Sequence, residues 1–472
     1  MKFISTRLSA PALSFEEVVL QGLAVDGGLY VPEFLPRFSE NDISRMKKMT
    51  YEELFFEITK HFIDNEIDSE SYKKIIKKSY QNFSQNFSHG AIAPLKQLTH
   101  NHFLLELFHG PTLAFKDFAL QFLGNLLDYF LEKRDEKIVI IGATSGDTGS
   151  AAIQGCRACK SAQIFILHPH EKVSDVQRRQ MTTVLADNVF NIALQGNFDD
   201  CQGMVKKMFA DQSFLNGKKM VAVNSINFAR ILAQIVYYFY AALRLGNDEK
   251  NPISFSVPTG NFGDIYAGFL AKKMGLNINK LIIATNENDI LARFLKSNDY
   301  SKSTMVDTIS PSMNIQVSSN FERLLFHAHK DQKLEEKMPE LMRGFERGGT
   351  LKVGDEILKN IQKEFDAYTA NDETTKKTIT EIFAKTGETL DPHSAVGVHA
   401  AQEFIASENY GGEFVVTLAT AHPAKFPEAV IAAGAPKPTL PKFLKGLMRA
   451  KEKFEVVEND FELVKKFISE RV

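Results

Sequence analysis

Lys116 lies in the run HGPTLAFKDFALQF, residues 109–122, just after Pro111 and at the start of a strongly apolar stretch. In the company of Phe115, Phe118, Ala119 and Phe122 its side chain has two options: it carries the ammonium out to water, or it is held dry. A dry site lowers the ammonium's pKa, and a neutral amine is what Schiff-base formation with an aldehyde requires. A second segment, PTGNFGDIYAG from Pro258, places Gly260 and Gly263 where a chain turns into a helix. Its consecutive N–H groups can then converge on one oxyanion, with the Thr259 hydroxyl as a further donor. The segment has no lysine in the G-x-x-x-x-G-K-[ST] position and no G-x-G-x-x-G, so it is neither a nucleotide P-loop nor a dinucleotide fingerprint. A plain strand-to-helix turn uses the same glycines, and the turn alone leaves both readings open. A third segment, GATSGDTGSAA from Gly142, sets the hydroxyls of Thr144, Ser145 and Thr148 beside Gly146 and Gly149. Small polar groups at a helix N-terminus suit a carboxylate, whereas capping by Ser145 or Asp147 accounts for only one of them. The fourth is ATAHPAKF from Ala419.

These segments need elements to hold them. Runs rich in Val, Ile, Leu and Phe at 103–108, 137–142, 163–168, 189–194, 219–224, 253–258, 281–285 and 413–420 read as strands. Their apolar residues are often consecutive, the pattern of strands covered on both faces and hence of parallel sheets with helical crossovers. Residues 96–425 are therefore expected to form an α/β core, doubly wound, in two subdomains with two mostly parallel sheets. In such sheets ligands bind beyond the carboxyl ends of the strands, which is where three of the four segments fall. Residues 1–95 lean to helix and form an N-terminal unit. Residues 330–385, charged and helical, read as an insert, and residues 426–472 as a C-terminal segment packed on the core. The stretch 228–243 reads as a buried amphipathic helix, interrupted by Arg230 and Gln234 and short of the about 20 apolar residues a membrane helix needs.

Composition narrows the classes. The 56 Lys and Arg nearly cancel the 58 Asp and Glu, so no net field directs the chain to nucleic acid or to an anionic membrane. Cys156, Cys159 and Cys201 are too few for a disulfide framework, which fits a reducing compartment. Cys156 and Cys159 have C-x-x-C spacing, but no second pair or matching histidines follow to complete a zinc site, and helix packing is the plainer reading. The first residues, MKFISTRLSAPALS, lack the apolar core of a secretion signal, and the expected location is the cytoplasm.

The run around Lys116 and the PTGNFGD turn (residues 258–264) resemble the cofactor lysine segment and the cofactor-phosphate loop of the threonine synthase family. ISTRLSAPALSFEEVVLQGLAVDGGLYVP (4–32), NSINFARI (224–231), SSNFERLL (318–325), DPHSAVG (391–397) and ATAHPAKF (419–426) extend the likeness in order along nearly the whole chain. The resemblance implies a fold-type II pyridoxal-phosphate enzyme (tryptophan synthase β-like) of the bacterial and fungal branch. It would be a carbon–oxygen lyase that turns O-phospho-L-homoserine and water into L-threonine and phosphate, as a monomer or a homodimer. Related phospholyases release 2-oxobutyrate instead and are the alternative. Carried over, Lys116 is the Schiff-base lysine; Gly260, Asn261, Phe262 and Gly263, with Asp264, hold the pyridoxal 5'-phosphate phosphate. Thr420 places its hydroxyl on the pyridine nitrogen, which leaves the ring largely unprotonated. Asp147 lies near the cofactor's 3-oxygen, Thr144, Ser145, Gly146 and Thr148 receive the substrate carboxylate, and Asn227 and Arg230 the substrate phosphate. No metal is implied. Two positions depart from the family pattern: Leu8 stands where glycine is usual, and Asn314 where aspartate is common.

Overall fold

The computed structural model describes residues 1–80, 86–221 and 223–472. All eight expected strands form, within a few residues of the expected bounds. The strand expected over 219–224 is found as Lys219–Val221; Ala222, like residues 81–85 of the N-terminal stretch, lies outside the described residues.

Two sheets carry the molecule. One has six strands in the order Phe365–Thr369, Ile278–Thr285, Ile253–Pro258, Phe414–Ala419, His102–Glu106, Leu95–Gln97, parallel except for the last pair. The other has five, in the order Glu455–Glu458, Val189–Gln195, Ala162–Pro169, Ile138–Ala143, Lys219–Val221, all parallel. The central strands are buried on both faces, as consecutive apolar residues require; every residue of Ile253–Pro258 is buried. Three strands of these sheets were not legible in the sequence: Leu95–Gln97, Phe365–Thr369 inside the stretch read as a helical insert, and Glu455–Glu458 in the tail. All are edge strands with positions that face solvent, and so they lack the apolar runs that marked the others.

The helix Phe228–Arg244 is buried as expected, and on every face from Phe228 to Leu243: it packs against helices Lys116–Arg134 and Gly263–Lys273, so that Arg230 and Gln234 lie inside the protein. The N-terminal helix Tyr51–Ile63, started by a Thr50 capping box, covers it from the other side.

Helix Lys116–Arg134 also crosses helix Asp147–Cys156 at a pair of glycines. A Cβ on Gly124 would lie 2.1 Å from the Gly155 carbonyl oxygen, and one on Gly155 would lie 2.2 Å from that of Leu120. Only glycine permits this backbone contact, which locks Lys116 and Asp147, each the first residue of its helix, into a fixed relation. Cys156 and Cys159 are buried free thiols beside this crossing, with Cys159 Sγ donating to the Gly124 carbonyl at 3.3 Å. Among the described residues no helix is long and apolar enough to cross a membrane.

Candidate active site

The turn after strand Ile253–Pro258 is shaped from behind. Ser318 Oγ donates to the Gly260 carbonyl at 2.6 Å, and Asn320 donates to the Asn261 carbonyl through its N–H at 3.1 Å and its Nδ2 at 2.8 Å. The fully buried Arg323 holds Asn320 Oδ1 and donates to the carbonyls of Tyr30 and Ile226. With its carbonyls turned back, the chain passes through a left-handed Phe262 (φ 62°) into helix Gly263–Lys273. Among the described residues, no protein acceptor takes the main-chain N–H of Gly260, Asn261, Phe262, Gly263, Asp264 or Ile265. Free donors at a helix start are a seat for a phosphate group. Gly260 has to be glycine because a Cβ there would sit 2.9 Å from the Ser312 carbonyl oxygen.

Two expectations at this turn are corrected. Thr259 Oγ1 donates to the Val257 carbonyl at 2.6 Å, and its N–H to that of Ala284, so Thr259 fixes the strand end and has no hydroxyl proton left for an anion. The Asp264 carboxyl faces away, accepting from Tyr237 at 2.5 Å and Tyr238 at 2.9 Å; burial raises its pKa to about 6. Asp264 thus offers the cradle its N–H alone, since a carboxylate would repel a phosphate.

Across the site, Thr144 Oγ1 accepts from the N–H groups of Gly146 and Gly149, both at 2.9 Å. Thr144 therefore closes the turn. The N–H groups of Ser145, Asp147 and Thr148 and the hydroxyls of Ser145 and Thr148 have no protein partner among the described residues. They make a smaller anion seat, sized for a carboxylate.

Lys116 faces this second turn. Its side chain is 12% exposed, and Nζ lies 3.5 Å from Asp147 Oδ2 and 4.7 Å from the centre of the Phe115 ring. Burial lowers its pKa below the ordinary lysine value; Asp147 opposes that, and Lys425 and Arg230 add to it. Asp147 accepts from Lys425 at 2.7 Å, Gln177 at 2.8 Å and Ser312 at 3.4 Å, and despite its burial the charges of Lys425 and Lys116, with the hydrogen bonds from Lys425 and Gln177, hold its carboxyl well below the usual carboxylate range. A dry amine of lowered basicity is thus set in a cleft that also holds two separate seats for anions.

Comparison with known proteins gives this arrangement a family. Residues 2–80 match the family described as threonine synthase N terminus, 91–347 pyridoxal-phosphate dependent enzyme, and 394–468 threonine synthase, C-terminal. A threonine synthase of Pseudomonas aeruginosa is 55% identical over 471 residues, covering 100% of this chain and 98% of its own length. The chain belongs to the threonine synthase family of pyridoxal-phosphate-dependent enzymes. The threonine synthase of Saccharomyces cerevisiae is 43% identical over 99% of this chain and 97% of its own. A pyridoxal-phosphate-bound threonine synthase structure from Brucella melitensis superposes with a TM-score of 0.95 at 46% identity, over 100% of this chain and 99% of that one. The fold is accordingly the fold-type II arrangement that the motifs implied.

The residues present fit the threonine synthase cofactor. Its phosphate has the unpartnered N–H groups of 260–265 to accept from, and its aldehyde has Lys116. Thr420 follows strand Phe414–Ala419 and is tied to the Lys116 segment, its carbonyl accepting from the Phe115 N–H at 2.9 Å. Its N–H donates to Ser394 Oγ at 3.2 Å, and its hydroxyl has no protein partner among the described residues.

Asn227 and Arg230, paired in expectation, separate in the structure. Asn227 caps helix Phe228–Arg244, accepting from the Ala229 N–H at 3.1 Å while its Nδ2 donates to the Val19 carbonyl at 2.9 Å. Its carboxamide is satisfied at both ends and 1% exposed, so it holds the fold and does not meet a substrate phosphate. Arg230 is 4% exposed, and its Nε and Nη1 have no partner among the described residues. Burial lowers its pKa to about 10, which leaves it charged at neutral pH. A buried guanidinium of this kind favours an anion as its partner.

Both departures from the threonine synthase pattern now have a physical meaning. Asn314 Oδ1 accepts from Thr308 at 2.7 Å, Asn286 at 2.8 Å and Asn288 at 3.3 Å, so this position is used as an acceptor, which an aspartate serves equally. Leu8 has φ 58° and is 42% exposed, so its side chain sits in a left-handed turn where glycine is free of strain. Leu8→Gly is expected to raise unfolding free energy by about 0.5–1 kcal/mol, the strain relieved less the glycine entropy. Denaturant titration checks it; an unchanged or lower midpoint contradicts the strain argument.

Sequence reasoning quoted the motifs of Ser318, Asn320, Asp391, His393 and Lys425 without giving those residues work. The Asp391 carboxylate anchors His393 and Ser394, and His393 Nε2 accepts from the Ser312 N–H at 3.1 Å, which sets the loop facing Gly260. The one available signal was a lysine followed by Phe426 and preceded by Ala424, an apolar setting like that of Lys116.

Proposed function

We propose that this chain converts O-phospho-L-homoserine and water to L-threonine and phosphate, with Lys116 as the lysine bonded to pyridoxal 5'-phosphate and as the principal base. The observation that carries the reading is the Lys116 amine, 12% exposed, of lowered basicity and 3.5 Å from Asp147 at the start of one anion seat. Bound cofactor supplies a conjugated electron sink for the charge left when a substrate α-proton departs. The main-chain N–H groups of Gly260, Asn261, Phe262, Gly263 and Asp264 would hold the cofactor phosphate, Thr420 would give its hydroxyl to the pyridine nitrogen, and Asp147 would serve the 3-oxygen. The substrate carboxylate sits against the N–H groups of Ser145, Asp147 and Thr148 and the hydroxyls of Ser145 and Thr148, and its phosphate against Arg230. Lys116 Nζ takes the α-proton and then a β-proton, and after phosphate leaves a proton is returned at the γ-carbon; water gives its hydroxyl to the β-carbon and its proton to the released phosphate, and a second proton returned at the α-carbon completes threonine. Each transfer needs the amine within hydrogen-bond reach of its proton, and the helix crossing at Gly124 and Gly155 gives it a fixed base.

The rival outcome is release of 2-oxobutyrate. Identity of 55% to the Pseudomonas aeruginosa threonine synthase, against 34% to a threonine synthase-like 2 of Xenopus laevis, favours threonine. Chromatography of the products from O-phosphohomoserine decides; 2-oxobutyrate without threonine refutes the proposal. Thr420→Ala is expected to keep cofactor bound and to slow turnover about 10- to 100-fold, the range of one lost hydrogen bond near charge. Unaltered kcat removes Thr420 from the assigned contact.

A further inference from the structure

Lys425 is a lysine with no exposure at all, the last residue of the short 3-10 turn Pro423–Lys425 beyond the six-stranded sheet. Its Nζ lies 2.7 Å from Asp147 Oδ1 and donates to the Thr112 carbonyl at 2.7 Å. Thr112 gives its N–H and hydroxyl to Asp117, the neighbour of Lys116, at 2.8 and 2.7 Å. The Lys425–Asp147 pair therefore joins the carboxyl ends of the two sheets at the floor of the cleft. Lys116 reaches the same carboxylate through its other oxygen, at 3.5 Å.

We propose that Lys425 is a positioning residue that takes up the charge of Asp147 and so leaves the Lys116 amine free to give up its proton. The inference rests on the reading of Lys116 as the cofactor-bonding lysine. A lone buried carboxylate beside Lys116 would hold that amine as an ammonium, because an opposite charge at this range favours the charged form. With Lys425 nearer, the carboxylate is already paired, and the second ammonium repels a charge on the first. The groups that face Lys116 are Asp147 from helix Asp147–Cys156, Lys425, Arg230 from helix Phe228–Arg244 and Asp264 from helix Gly263–Lys273. Two cations thus stand against Asp147, while the Asp264 carboxyl is occupied by Tyr237 and Tyr238. Gln177 and Ser312 complete the hydrogen bonds of Asp147 and bring no charge.

The test is the pH dependence of the rate at which the full-length chain, stripped of cofactor, captures pyridoxal 5'-phosphate, followed by visible absorbance. Capture needs the neutral amine, so the profile's midpoint reports the basicity of Lys116. Lys425→Met is expected to move the midpoint to higher pH and to slow capture at fixed neutral pH about tenfold or more, each pH unit being a factor of about ten. Asp147→Asn is expected to move it to lower pH, and the double variant to lie between the two. A residue that merely supports the fold does not produce shifts of opposite sign. A Lys425→Met profile that coincides with the wild type, or lies below it, overturns the proposal. If Lys425→Met fails to fold, Lys425→Gln, which keeps a donor for the Thr112 carbonyl but carries no charge, is measured in its place; a profile that coincides with the wild type overturns the proposal equally. Borohydride fixation of the captured cofactor separates the two readings. Attachment to another lysine defeats the assignment of Lys116, whereas attachment to Lys116 with coincident profiles defeats only the role of Lys425.

Discussion

Lys116→Ala is expected to lower threonine formation by at least about 1,000-fold, because one amine serves as covalent anchor and as the base for successive proton transfers. Removing a partner shared by several steps is not compensated by the rest of the site. The phosphate seat is built by Ser318 and Asn320 from behind, without any contribution from Lys116. The variant should therefore still bind pyridoxal 5'-phosphate, non-covalently and more weakly. Folding should be preserved, since the side chain contributes one contact at 3.5 Å to a carboxylate that keeps Lys425 at 2.7 Å. Steady-state assay of phosphate release, with equilibrium dialysis of the cofactor, checks both parts. Activity within tenfold of the wild type would place the chemistry on another residue.

Arg230→Leu is expected to divide function from stability. The guanidinium is 4% exposed with two nitrogens unpartnered among the described residues, so in the absence of substrate it costs the fold desolvation without return. Leucine suits the apolar surroundings of helix Phe228–Arg244, and the unfolding midpoint should stay level or rise. With substrate bound, the same guanidinium meets a phosphate in a dry site. Truncating one partner of such a pair costs about 2–5 kcal/mol, an expected loss of about 100-fold or more in kcat/KM, with KM rising. Binding of pyridoxal 5'-phosphate itself, seated on the 260–265 N–H groups, should be little affected. A stable variant with unchanged KM would remove Arg230 from the substrate phosphate.

The two variants also mark what was legible in the sequence. Lys116 and the 260–263 turn were readable because each rests on local pattern: an amine among phenylalanines, and glycines at a strand-to-helix junction. The central strands were readable for the same reason, being continuous apolar runs. What escaped reading depends on residues far apart in the chain. Nothing near Asp264 signals that Tyr237 and Tyr238 wait for its carboxyl. Asn227 and Arg230 are three residues apart in one motif, yet one caps the helix and the other lies buried close enough to Lys116 for its charge to be felt there. Lys425 is separated from Asp147 by most of the chain, and only the meeting of the two sheets pairs them. The edge strands Phe365–Thr369 and Glu455–Glu458 escaped because exposure removes the apolar signature on which strand reading relies.

All of this depends on one amine being dry, weakly basic and next to the cofactor's aldehyde. The direct measurement is mass-spectrometric mapping of tryptic peptides from the purified chain after borohydride treatment with cofactor bound. A single pyridoxyl adduct on Lys116, with loss of the visible absorbance band on reduction, is the predicted result. An adduct on any other lysine, or none at full cofactor occupancy, contradicts it.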